Sequence, residues 1–177
     1  MQQEIFFMNG NRNSIILPEK KIFTDAGSAL LWRKEMKKNN RTVAVTNGCF
    51  DILHRGHAEY LLQARSLADS LLVLLNSDES VRALKGPSRP VNCEYDRAYL
   101  LASLSFVDAV LIFHGARCDR ELDILYPDSY AKGGDYTLEK LDPAERESLL
   151  RHGTQISFIP FVPGHSTTLV LEKARSC

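Results

Sequence analysis

This sequence has no long apolar run, no basic amino-terminal patch leading into one, and no excess of either charge sign. Nothing in its 177 residues approaches membrane-spanning length. The start, Met1-Gln2-Gln3-Glu4-Ile5-Phe6-Phe7-Met8, lacks the basic region and apolar stretch of a secretory signal, so a cytoplasmic location is expected. Twenty-two basic residues balance twenty-two acidic ones, which leaves no global field to attract nucleic acid or an anionic membrane. The four cysteines, Cys49, Cys93, Cys118 and Cys177, are scattered with no C-x-x-C pair, and this argues against a disulfide framework or a structural zinc site. Internal repeats and low-complexity tracts are lacking too. The polar, turn-rich Asn9-Gly10-Asn11-Arg12-Asn13 shows no core-building pattern, which predicts an arm over residues 1–21 and a single domain over 22–177.

What is present alternates between two periods. Thr42-Val43-Ala44-Val45 is short and β-branched, and Leu71-Leu72-Val73-Leu74-Leu75 is an unbroken apolar run; both suit buried parallel strands. Ala109 to Phe113, Tyr130-Ala131-Lys132 and Ile156 to Ile159 supply three more. Helical spacing separates them: a segment capped by Thr24 or Asp25 with Trp32 in its core face, Ala58 to Ala68, Glu79 to Leu84, a helix capped by Asn92, Arg120 to Leu125, Pro143 to Arg151, and one capped by Ser166. Five strands separated by helices, with no hairpin signals between them, predict an α/β fold with a doubly wound parallel five-stranded sheet.

The stretch Thr46-Asn47-Gly48-Cys49-Phe50-Asp51-Ile52-Leu53-His54-Arg55-Gly56-His57 places two histidines, two glycines and an acid at a strand-to-helix turn. In an open α/β sheet that turn lies at the carboxyl edge, where helix N–H groups and the dipole's positive end face bound anions. His54 and His57, three apart, can meet one ligand from one face of a first helical turn, and Gly48 and Gly56 allow a nucleotide near the backbone. Two ordinary histidines at a helix cap and metal ligation are the alternatives, although no third His or Cys neighbour completes a metal set. Downstream, Lys85-Gly86-Pro87-Ser88-Arg89-Pro90 reads as an irregular loop displaying two cations, Gly133-Gly134-Asp135 as a turn after a strand, and Ser166-Thr167-Thr168 as hydroxyls at a helix start. His165 reads as a surface histidine without a role.

The segment from Gly48 to His57 resembles the signature of the H-x-G-H nucleotidyltransferases, which include the cytidylyltransferases. Further matches lie in Asn76-Ser77-Asp78-Glu79-Ser80-Val81, Leu84-Lys85-Gly86, Arg89-Pro90, Asp96-Arg97, Lys132-Gly133-Gly134-Asp135-Tyr136 and Ser166-Thr167-Thr168. Together these are similar to the adenylyltransferase part of the bacterial ADP-heptose synthases over roughly residues 20 to 175. The resemblance implies a Rossmann-like nucleotidyltransferase fold and transfer of AMP from ATP to D-glycero-β-D-manno-heptose 1-phosphate, a step toward lipopolysaccharide core. It implies His54, His57 and Lys85 as catalytic residues. Nucleotide contacts are implied from Asn47, Gly48, Cys49, Phe50, Gly56, Arg89, Gly133, Asp135, Ser166, Thr167 and Thr168. Asp51, Asn76, Asp78 and Arg97 would contact substrate. Mg²⁺ would arrive with ATP, with no protein cage for it. The implied assembly is a homodimer whose sugar kinase partner activity sits on a separate protein. A cytidylyltransferase acting on glycerol 3-phosphate or a related alcohol phosphate, and a non-catalytic nucleotide-binding module, are the rival readings.

Overall fold

In a computed structural model, residues 16–160 and 162–176 are described. Most of the expected amino-terminal arm lies outside the described residues. Its end, from Ile16 on, includes a 3-10 turn at Pro18–Lys21, where the Lys21 ammonium donates to the Val107 carbonyl at 2.9 Å.

Among the described residues six parallel strands, not five, form one sheet. They are β1 (Ile22–Phe23), β2 (Val43–Gly48), β3 (Ser70–Asn76), β4 (Ala109–Phe113), β5 (Ser129–Gly133) and β6 (Gln155–Ile159), in the order β1-β4-β3-β2-β5-β6. The additional strand is β1, whose two residues align with Val110 and Leu111 of β4. Two residues carry no readable period, which is why the sequence pattern conceals it. The helices are α1 (Ala26–Lys38), α2 (Arg55–Arg65), α3 (Asp78–Lys85), α4 (Glu94–Ala102), α5 (Asp119–Leu125), α6 (Pro143–Arg151) and α7 (Thr167–Arg175).

Successive strand residues serve opposite layers. Ala44, Leu71, Val73, Leu75, Val110 and Ile112 pack with Leu61 and Ala64 of α2 and Leu101 of α4. Val43, Val45, Leu72, Leu74, Leu111 and Phe113 pack with Ala29 of α1, Leu122 and Leu125 of α5 and Leu149 of α6. The unbroken run of β3 is thus fully buried because both faces are covered. Each such leucine contributes about 1.5–3 kcal/mol by leaving water.

From β2 the chain builds outward in two directions, through β3 and β4 on one side and, after the switch, through β5 and β6 on the other. Ligands of open α/β sheets bind at the carboxyl ends of the strands flanking such a switch. Here those ends are Asn47-Gly48 and Lys132-Gly133. No helix among the described residues is long and apolar enough to cross a membrane.

Candidate active site

A cleft of about 650 Å³ opens at that switch, a size suited to a nucleotide. Its floor is the ends of β2 and β5, one wall is the start of α2, and the other is the segment from Val162 into α7.

The α2 wall is built by its own cap. His54 is the residue before the helix, in extended backbone, and its Nδ1 accepts the His57 N–H at 3.4 Å where Ser or Asp would usually stand. The bond leaves the proton of a neutral ring on Nε2, so His54 can donate to an anion without being charged. Its ring stacks on His57 with centroids 3.8 Å apart. Burial holds the His54 imidazole below the ordinary histidine range, and His165 adds to the effect. For His57 burial dominates, with His54 and the Lys85 cation reinforcing it, and the pKa falls to about 4. The Ile52 backbone opposes that shift without closing a hydrogen bond to the buried Nδ1. Phe50, at a left-handed φ of 42°, sets its ring edge-on against His57, and its burial holds that backbone in place.

Two lysines reach the cleft with opposite status. The Lys132 ammonium donates to Asn47 Oδ1 at 2.9 Å, Tyr130 Oη at 3.3 Å and Glu145 Oε2 at 3.4 Å, which occupies all three of its hydrogens. Because Asn47 Oδ1 also accepts from Tyr130 Oη, the Asn47 amide is oriented with its NH₂ free as a donor. Lys85, the last residue of α3, is exposed, lines the cleft and has no hydrogen-bond or ion-pair partner among the described residues. Gly86 follows it at φ 92°, the conformation that ends the helix. Beneath the floor Tyr60 donates to the Ala131 carbonyl at 3.0 Å and bonds Thr46; burial pushes its phenol up to about 12, so it stays neutral.

Ser166 caps α7 by accepting the Leu169 N–H at 3.2 Å, and Ser166 and Thr167 both line the cleft. Asn47, Gly48, Cys49, Phe50, Gly56 and Gly133 line the same cleft. Thr168 and Asp135 do not line it; the exposed Asp135 accepts from Lys140 through its carbonyl at 3.1 Å.

Five further residues stand in a framework behind the site. Asp51, 2% exposed, accepts the N–H groups of Val91 and Asn92 at 2.7 and 3.2 Å and is ion-paired with Arg89. Arg97, fully buried, donates to the carbonyls of Cys49 at 2.6 Å and Asn92 at 3.0 Å and to the Asp78 carboxylate at 2.8 Å. Asn76 donates to Ser80 Oγ at 2.8 Å. None of Asp51, Asn76, Asp78, Arg89 and Arg97 lines the cleft, because each is occupied in tying the turn after β2 to α3 and the loop before α4. Asn92 joins that framework through the Asp51 carbonyl, and Cys93 rather than Asn92 stands at the start of α4.

Sequence reasoning missed Lys132, Tyr60 and His165 as cleft residues. His165 is half-buried instead of free on the surface, and it seats against Gly56: a Cβ on that glycine would lie 2.9 Å from the His165 Cβ. Gly56 is small to admit a neighbouring side chain. Lys132 was legible as the cation of Lys132-Gly133-Gly134 at a strand end; the pairing with Glu145 across thirteen residues was not.

Among the described residues the lining holds imidazoles, amide and hydroxyl donors and a free ammonium, and no carboxylate. The chemistry of such a set is complementary to a polyanion. A parallel sheet with a switch-point cleft and an H-x-G-H helix start defines a nucleotidyltransferase domain, and the chain belongs to the cytidylyltransferase-like family, which matches residues 45–173. Among curated proteins, the bifunctional protein HldE of a Nitratiruptor species is 42% identical over 160 residues, 90% of this chain and 33% of that protein. The bifunctional protein HldE of Helicobacter pylori is 38% identical over 173 residues, 98% of this chain and 34% of that protein. The chain therefore spans about a third of the length of these relatives. A solved structure, the lipopolysaccharide core biosynthesis protein from Thermoplasma volcanium, superposes with a TM-score of 0.56 at 28% identity, covering 69% of this chain and 97% of that one.

Proposed function

We propose that this chain transfers AMP from ATP to D-glycero-β-D-manno-heptose 1-phosphate, releasing pyrophosphate and forming ADP-heptose. The observation that carries the reading is the cleft in which His54, His57, Lys85, Ser166 and Thr167 converge at the sheet's switch point, with no carboxylate in its lining among the described residues. The relationship to the bifunctional HldE proteins supports the choice of acceptor.

In this reaction a sugar-phosphate oxygen attacks the α-phosphorus, a new P–O bond forms, and the bond to the β-phosphate oxygen breaks. The nucleophile is already anionic, so alignment and charge stabilisation do the catalysis and no strong base is needed. His54 donates from Nε2 to the α-phosphate region, with His57 stacked behind it. Lys85, uncommitted in the free protein, follows the charge that builds on the leaving pyrophosphate. The hydroxyls and N–H groups at the start of α7 hold the outer phosphates. Mg²⁺ enters on the triphosphate, because it keeps several of its waters and needs few protein ligands. A homodimer belongs to the same proposal, and light scattering tests it.

The deciding experiment incubates purified protein with ATP or CTP and a panel of phosphorylated acceptors while pyrophosphate is measured. ATP with heptose 1-phosphate should turn over fastest. Turnover of CTP with glycerol 3-phosphate, and none of ATP with heptose 1-phosphate, would replace this reading by the cytidylyl one; nucleotide binding without release for any acceptor would make the chain a binding module.

A further inference from the structure

His165 is part of the α7 wall and has no role in the mechanism above. It lines the cleft, its ring centroid lies 6.4 Å from that of His54, and Gly56 allows the close approach of its Cβ to the start of α2. Its Nδ1 lies 3.0 Å from the Pro163 carbonyl oxygen. A carbonyl only accepts, so that nitrogen carries a proton. The neutral ring then keeps a bare lone pair on Nε2, which repels a phosphate oxygen; only the imidazolium offers an N–H there. His54 is wired the opposite way, with Nδ1 accepting and the proton on Nε2.

We propose that His165 is a third imidazole of the triphosphate site, and that it engages phosphate only as the imidazolium, so that one proton from solvent is taken up with the nucleotide. The charged and titratable groups around it explain the coupling. His54 and His57 of α2, Lys85 of α3 and Lys132 of β5 share its cleft, and the Glu145 carboxylate of α6 sits behind Lys132, already paired with it. An arriving triphosphate sets negative charge against the Nε2 face of the ring and favours its protonated form. The inference rests on the polyphosphate reading of the cleft, and the test separates the two.

Calorimetry of the full chain with ATP–Mg²⁺ and with inorganic tripolyphosphate, repeated in buffers of different ionisation enthalpy, reads affinity and proton uptake together. His165→Gln should weaken both ligands by about tenfold, the loss of one charge-assisted hydrogen bond, and should lower the uptake by about one proton. His165→Lys, a permanent cation, should restore affinity with the uptake still lowered. In ¹⁵N-histidine spectra the resonance missing from His165→Gln should show both ring nitrogens protonated in the complex. Wild-type affinity in His165→Gln, or a ring that stays neutral in the complex, overturns the role of His165 while leaving the site intact. No binding of either ligand to the wild-type protein overturns the polyphosphate site itself.

Discussion

At the scale of single residues, hydrogen-bond saturation separates groups of identical chemistry. Lys85 and Lys132 are both cations at the cleft, yet Lys132 has spent its three hydrogens on Asn47, Tyr130 and Glu145. Under the proposed reaction, Lys85→Ala should lower turnover by about a hundredfold while ATP affinity changes less, since its contact forms as charge develops on the leaving group. Lys132→Met should instead weaken ATP binding through a disordered Asn47 amide and destabilise the fold, because Glu145 is left buried without its partner. Steady-state kinetics beside calorimetric affinity distinguishes the two patterns. His57 adds a pH signature. Its pKa is lowered from 6.5 to about 4 in the folded state, so the unfolded chain binds more protons between those values. Stability should fall as pH drops from about 6.5 toward 4, by on the order of 2 kcal/mol after allowing for screening at the open cleft. Urea unfolding at several pH values should show this loss reduced in His57→Gln.

At the scale of elements, legibility followed length. Pro143–Arg151 carries proline at its first position, an acidic first turn and a basic end, and its limits agree with the sequence reading residue for residue. β1 was hidden because two residues have no period. The start of α4 was misassigned because Asn92, a good capping residue, is drawn instead to the Asp51 carbonyl forty-one positions earlier, a tertiary contact that local preference cannot anticipate. The same kind of contact decides Arg97. Arg97→Met should cost about 3 kcal/mol or more in urea unfolding, since it strands the carbonyls of Cys49 and Asn92 and the partly buried Asp78. Arg82→Ala, at an exposed position on α3, should cost well under about 1 kcal/mol in the same assay.

At the scale of the whole molecule, the site's floor and α2 wall were readable because a switch-point cleft follows from strand order and the histidine run occupies its edge. The α7 wall was readable as hydroxyls and unreadable as geometry: nothing in Gly164-His165-Ser166 announces that Gly56 lets the Cβ of a residue 109 positions away approach its backbone. That wall also differs in how it is held. The α2 wall is bound into the framework through Arg97 and Asp51, whereas Leu169 and Val170 of α7 remain 40% and 36% exposed. A triphosphate that bridges both walls would act as mortar for the last helix. Trypsin or chymotrypsin should therefore cut within residues 162–176 more slowly when ATP–Mg²⁺ is present, while cleavage elsewhere is unchanged. Equal rates with and without nucleotide would mean that α7 takes no part in holding it.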